Sequence, residues 1–425
     1  MKNKPELVSK KSKFFSLLFV FLIAISQQVF SQDTEITDYA QFKGSVVDAK
    51  NKNPLEFATL LVNNTNISTI TNVDGEFVLK VPNTDLDKSV TISYLGYKNN
   101  VLPLSNFMTD KTIIKLEESL EKLPEVNVVS KDPNLIIKKI MDNKKSNYFD
   151  DPVIMKAFYR ESIKKRKTYA SLSEAVVDIY KRPYTSNGLE MIKLIKARKS
   201  TDYRKVDTLV IKLQGGPYNT LHIDLIKNEE MFFNEDIFAK YKFTFDKAIN
   251  IDNRLSYVID FKGHTNIDEP LFYGKLYIDA SSNALSKAIF SLDLTNREQS
   301  SKFFVKKKPS KADVTPEVAN FRVDYLVKDG KWYFGYSRIE LSFKINWKKK
   351  LFNSVYNVTS EMAITDWEVN EDRDYLKGKD RMRTNVILND EVSGFSDPEF
   401  WGEYNVIEPE KSIENAIKKI QKRND

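Results

Sequence analysis

From Val153 to Trp367 the sequence reads as strand after strand, and no other feature limits the possible folds as tightly. Val153 to Lys164 and Tyr169 to Tyr180 form a long pair turning at Arg166-Lys167. Tyr241 to Ala248, Leu255 to Gly263, Phe272 to Asp279 and Leu285 to Leu294 follow, the last two joined by Ser281-Ser282-Asn283. Phe321 to Lys328, Trp332 to Trp347 and Phe352 to Trp367 complete the series, with Asp329-Gly330 and Lys348 to Lys350 as turns. Strands that arrive through short turns pair with their predecessors, so the expected product is one large, curved antiparallel sheet rather than a parallel α/β sheet. A sheet of roughly ten strands must curl or be covered, because an open one exposes an apolar face.

A second β-rich stretch runs from Gly44 to Gly96. Val46, Phe57, Leu61, Phe77, Leu79, Val81, Val90, Ile92 and Tyr94 recur mostly at alternate positions in short runs, as half-buried strands require. Asp74-Gly75 is placed to supply the positive φ of a tight hairpin, and Asn51 to Pro54 reads as an earlier turn. These runs should pack as a small sandwich.

The spacing Gly44-x-Val46-x-Asp48, Pro54-Leu55-x-x-Ala58-Thr59, Thr71-Asn72-x-Asp74-Gly75-x-Phe77 and Ser93-Tyr94-Leu95-Gly96-Tyr97 resembles the carboxypeptidase-regulatory-like domain, over residues 41–117. The resemblance implies a seven-stranded, prealbumin-type sandwich acting as a non-catalytic module in exported Bacteroidetes proteins. Lys52 or Asn53, and Ser68, stand where that family often has glycine. Leu123-Pro124-Glu125-Val126 resembles the segment that follows the module in TonB-dependent receptors.

Residues 1–31 carry the marks of a secretory signal. Five lysines precede the apolar run Phe14 to Ile25, and Val29-Phe30-Ser31 offers a cleavage site. That run is short for a bilayer span, and no transmembrane segment is expected after cleavage. Retention as an N-terminal anchor is the alternative. Removing five lysines and one glutamate lowers the formal charge from +7 to +3, too balanced for a nucleic-acid partner. The basic runs Lys306 to Lys308 and Lys348 to Lys350 read as solvated hairpin tips. The absence of cysteine rules out a lipobox and disulfides, so an exported chain must rely on its core.

After a linker at 118–131, Asp132-Pro133 opens a helix with an acidic cap and proline in the first turn, placing Leu135, Ile136, Ile140 and Met141 on one face. Ile413, Ala416, Ile417 and Ile420 mark a short amphipathic helix near the C-terminus, expected to dock on the sheet. The second domain is therefore assigned to 132–425. Gln214 to Asn219 is a tight turn, after which Leu221, Ile223 and Leu225 alternate with His222, Asp224 and Ile226 as in a strand.

Candidate chemistry is sparse. With two histidines and no cysteine there is no Cys/His dyad or two-His zinc helix, and no Gly-x-Ser-x-Gly elbow, Walker loop or dinucleotide glycine pattern occurs. No catalytic, metal or cofactor-binding residue is assigned. His222 and Asp224 would share a strand face, open to a metal or a His–Asp pair as well as to ordinary outward residues. His264 follows Gly263 in an expected turn. Carboxylate pairs of glycosidase type stay open, and Asp74-Gly75 lacks the ligand spacing of an EF-hand. Trp332, Tyr333, Phe334, Tyr336, Trp347, Tyr356 and Trp367 crowd the late strands, either as core or as a platform for sugar rings or acyl chains.

Phe272-Tyr273-Gly274-x-Leu276-Tyr277-Ile278-Asp279, with Ala284-Leu285 and Ala288-Ile289-Phe290, is similar to the hairpin of periplasmic lipoprotein-carrier folds, in which a half-barrel encloses an apolar groove. Ala157-Phe158-Tyr159-Arg160-Glu161, the Gly215-Gly216-Pro217 turn and Phe400-Trp401-Gly402-Glu403-Tyr404-Asn405 resemble an uncharacterised Bacteroidetes envelope family. Its longer relatives add an outer-membrane barrel, which is not expected here. The expected protein is a mainly β (α+β) chain: a seven-stranded sandwich, then a large curved antiparallel sheet with flanking helices. Its expected role is non-enzymatic binding or assembly in the envelope, periplasmic or at the outer membrane, with a protein, lipid or glycan partner. Lipid or lipoprotein carriage and glycan enzymology are the alternatives.

Overall fold

Glycine at position 44 lets the first strand fit. An added Cβ there would lie 2.1 Å from the carbonyl oxygen of Thr112 and 2.8 Å from the Phe77 ring. The computed structural model describes residues 38–119, 132–201, 216–251, 253–265, 267, 269–304, 312–348, 353–373, 375–386, 388, 400–411, 413 and 415. The expected signal, nearly all of the expected linker, Lys306 to Lys308, Lys349 and Lys350 lie outside them. So do Ala416, Ile417 and Ile420, while Ile413 is buried against Tyr169 and Leu172.

Seven strands build the sandwich: β1 (Tyr39–Asp48), β2 (Thr59–Val62), β3 (Ser68–Ile70), β4 (Glu76–Pro82), β5 (Ser89–Ser93), β6 (Asn100–Pro103) and β7 (Thr112–Leu116). They form two sheets, β4-β1-β7 and β3-β2-β5-β6, around Val46, Leu60, Val62, Phe77, Leu79 and Ile92. Gly75 adopts φ +72° as expected, but β3 and β4 belong to different sheets, so its turn crosses the sandwich instead of closing a hairpin. Lys52 takes φ +64°, the left-handed backbone that glycine commonly supplies.

A third sheet has ten strands. β8 (Val153–Lys165), β9 (Thr168–Lys181) and β10 (Met191–Thr201) run outward to one edge. The chain then restarts at the opposite edge with β11 (Tyr241–Ile251) and returns through β12 (Arg254–Gly263), β13 (Phe272–Asp279), β14 (Leu285–Leu292), β15 (Ala312–Lys328), β16 (Lys331–Trp347) and β17 (Ser354–Val369). The order is β10-β9-β8-β17-β16-β15-β14-β13-β12-β11, antiparallel throughout and open at both ends. Two features depart from expectation. β10 was not legible, its charged run Lys193 to Lys199 masking the alternation, and β15 starts at Ala312, nine positions before Phe321.

Because β10 and β11 lie at opposite edges, the chain between them has to cross a face of the sheet. Residues 216–240 lie on that face, burying Leu221, Ile223, Leu225, Ile226 and Phe232 in the main core. This is where a strand was expected. Instead Gly216 (φ +49°) and Pro217 start α3 (Pro217–His222), and turns follow. The same face receives α1 (Pro133–Asp142), capped by the Asp132 carboxylate on the Asn134 amide, and α2 (Lys144–Asn147). α1 buries Ile136, Ile137 and Ile140, while Leu135 is exposed: spacing i, i+1, i+4 selects a face rotated from the expected one.

Among the described residues no helix is long and apolar enough to cross a membrane. Tyr39–Asp425 forms one compact unit. The Gly44→Ala substitution is expected to lower stability by about 1–3 kcal/mol, read as a lower urea midpoint; an unchanged midpoint would mean that β1 and β7 can separate freely.

Candidate functional site

One row of side chains crosses all ten strands on the face away from the helices. Cross-strand pairing puts Arg198, Glu174, Arg160, Glu361, Arg338, Arg322, Ile289, Lys275, Asp260 and Thr244 side by side, one from each strand. The Arg198 to Arg322 half is covered and the Ile289 to Thr244 half is open.

In the covered half, Arg160 is 4% exposed and holds Glu174 at 2.7 Å and Glu361 at 3.3 Å, while its third nitrogen donates to the Ile407 carbonyl at 2.6 Å. Glu174 also takes Arg198 at 2.8 Å, and Glu361 takes Arg338 at 2.9 Å. Alternation fails where Arg338 neighbours Arg322. Phe57 of the sandwich fills that gap, its ring 4.9 Å from one guanidinium and 5.0 Å from the other, stacked on Tyr336 at 5.7 Å. Phe57 adopts φ +62°, a strained backbone for a side chain of this size.

A strap at 400–411 seals the seam. Trp401 packs edge-on against Phe158, and the Asn405 side chain accepts from the Lys80 amide at 2.7 Å and donates to its carbonyl at 2.8 Å. Lys80 donates to the Gly402 carbonyl, and burial with Lys43 nearby pulls its amine down to about 8. Ser68 and Asn66 donate to carbonyls of β17. Two of the motifs quoted from the sequence, around Arg160 and around Trp401, thus meet in one interface with a structural task.

On the helix-covered face, Asp224 is buried and accepts from Lys181 and from the Tyr325 hydroxyl, each at 2.8 Å. Burial raises the Tyr325 hydroxyl well above its usual range. His222 is exposed at the end of α3 and does not share a strand face with Asp224. The shared strand face that left a His–Asp pair open is therefore absent, because a helical turn replaces the strand. Among the described residues, no group of three or more His, Cys, Asp or Glu is arranged to hold a metal. Trp332, Tyr333, Phe334, Tyr336, Tyr356 and Trp367 are all buried, which selects the core reading over an open aromatic platform.

The open half forms a groove of about 1040 Å³ over β11 to β14, walled by residues 263–265, 267, 269–271, 293, 295 and 296. Its floor carries Lys275, which donates to Asp246 and Asp260 at 2.7 Å each; these hydrogen bonds raise its pKa. Tyr273 is 50% exposed beside Lys262 and Ser291. His264 lies on the rim, its amide donating to the Lys240 carbonyl. The expected hairpin of Phe272 to Phe290 is present, but its polar side makes the floor. Tyr273 and Lys275 were legible as the face opposite Phe272 and Leu276; the free surface beside them was not.

Residues 42–128 match the family model described as the CarboxypepD_reg-like domain. A comparison with curated proteins gives no match. Among solved structures, the chain is similar to a DUF1329 family protein from Desulfovibrio piger (9% identity, TM-score 0.26, covering 57% of this chain and 95% of that one). It is also similar to MucB in complex with MucA(peri) (10%, TM-score 0.18, 56% and 99%) and to a LolA superfamily protein from Nitrosomonas europaea (12%, TM-score 0.20, 58% and 99%). These TM-scores are too low to carry a shared fold.

Burial pushes the Glu174 carboxyl up, but Arg160 and Arg198 outweigh it and hold the group below its ordinary 4.5. Burial of Asp324 is likewise outweighed by Arg322 and Lys287, which keep it below 3.8. Both carboxyls stay ionised in the fold while the unfolded chain takes up protons, so their contribution is complete above the unfolded values and fades as pH falls through the folded ones. The urea midpoint should fall between about pH 7 and about pH 3. Arg160→Met should cost about 3–5 kcal/mol at neutral pH and flatten the acid limb; a variant as stable as the parent would remove the ladder from this account.

Proposed function

We propose that the chain is a non-enzymatic binding or assembly protein of the cell envelope whose ligand occupies the β11–β14 groove. The observation that carries this reading is an open groove of about 1040 Å³ on a sheet whose opposite face is packed and whose Arg198 to Arg322 half is covered. A scaffold braced in this way holds a binding surface in fixed geometry, and the volume suits a bound molecule. Two of the groove carboxylates already have cationic partners: Asp260 shares Lys275 with the neighbouring Asp246, and Glu269 pairs with Lys240. Carboxylates held as ion-pair partners suit recognition better than proton transfer. The sheet's apolar face is filled by its own side chains, which favours a binding platform over carriage of an acyl chain inside the sheet.

Envelope placement rests on the signal-like residues 1–31 and on the sandwich, a module found in exported proteins. Co-sedimentation of the full chain with washed envelopes from its own cells tests the proposal. Filling the groove with Thr244→Arg and Ser291→Arg together should reduce retention about tenfold without moving the melting curve. Undiminished retention would reject the groove as the binding surface, and turnover of envelope material that stops in Asp260→Asn would replace binding with catalysis.

A further inference from the structure

The groove's chemistry narrows its ligand. Tyr273 leaves half its surface open on a polar face, with Lys262 and Ser291 as its cross-strand neighbours. An exposed ring on a rigid strand offers an apolar platform at little cost in side-chain entropy. Lys275 and Asp260 of the lining are 41% and 45% exposed, and Asp246, which shares Lys275, is 30% exposed, so the ion triad keeps donor and acceptor capacity open to solvent. An acyl chain laid over the triad would strip water from three charges and return no hydrogen bond. Hydroxyl groups would replace that water. Among the described residues the lining holds three lysines (Lys242, Lys262, Lys275) against three carboxylates (Asp260, Glu269, Asp293), with no excess of cations to draw a polyanion.

Tyr273 stands on closely packed backbone. Gly274 follows Tyr273 at φ +156°, and an added Cβ would lie 2.2 Å from the Ile289 carbonyl. The backbones of β13 and β14 therefore sit tightly together one position along from Tyr273. Ser291 donates to the Asn320 amide oxygen at 2.7 Å, extending the polar floor toward β15.

We infer that the groove binds an uncharged oligosaccharide segment. One sugar ring stacks on Tyr273, and its hydroxyls exchange hydrogen bonds with the Asp246–Lys275–Asp260 triad and Ser291. This deepens the binding role proposed above and rests on it.

Isothermal titration of the full chain with cellohexaose, mannohexaose and chitohexaose tests the inference, with phosphatidylglycerol vesicles as contrast. At least one oligosaccharide should bind saturably, about tenfold more weakly in Tyr273→Ala and with parental affinity in Tyr273→Phe. Lys275→Met should weaken the same ligand. No saturable binding of any of the three, or binding indifferent to Tyr273→Ala, overturns the inference. Vesicle binding that needs Tyr273, with no oligosaccharide bound, transfers the groove to lipid. Groove-dependent envelope retention without oligosaccharide binding rejects the glycan alone; loss of both rejects the binding role itself.

Discussion

Arg160 sits where six strands' worth of charge would otherwise be buried without compensation. Removing an ionised side chain from water costs several kcal/mol, and a partner in good geometry is the only compensation available inside. The ladder from Arg198 to Arg338 meets that condition by alternating sign across neighbouring strands. It also constrains register: a one-residue slip of any strand would send its charge to the apolar face.

That arrangement depends on being covered. Phe57 occupies the single place where like charges adjoin, and the strap at 400–411 supplies the Ile407 carbonyl that completes Arg160. The sandwich and the strap are thus parts of the sheet's own electrostatics rather than appendages to it. The strained backbone at Phe57, costing about 1–3 kcal/mol, is offset by the two guanidinium contacts and the stacked tyrosine.

The opposite face is closed for a topological reason. A ten-stranded order that begins in the middle, runs to one edge and resumes at the other forces the intervening chain over the sheet. Residues 216–240 make that crossing, and the buried Lys181–Asp224–Tyr325 contacts fasten it. With one face packed under the crossing and half of the other under the sandwich, the β11–β14 half of the row stays open. There the same alternation of charge continues in the Asp260–Lys275 pair, now half in water and free to exchange hydrogen bonds.

Much of this was legible in local pattern. Alternation at period two, Asp-Gly and Ser-Ser-Asn turns, and Asp132-Pro133 report on the nearest few residues, and they located the sandwich strands, most of the ten-stranded sheet and α1. Local pattern misread 217–226, because Gly216-Pro217 and the buried Asp224 act through contacts with strands far along the chain. It could not tell which polar faces are buried: nothing near Arg160, Glu174 or Glu361 in the chain marks them as partners, and only the register places them together. The same holds for the groove, since Tyr273 and Lys275 look no different in sequence from Tyr277, which Leu95 of the sandwich covers. The sequence by itself determined the strands, their turns and the mainly β class, because these follow from short-range sterics and amphipathicity. Only the tertiary structure decided which charges pair, which aromatic stays open and where a ligand can enter, because these depend on packing between residues far apart in the chain.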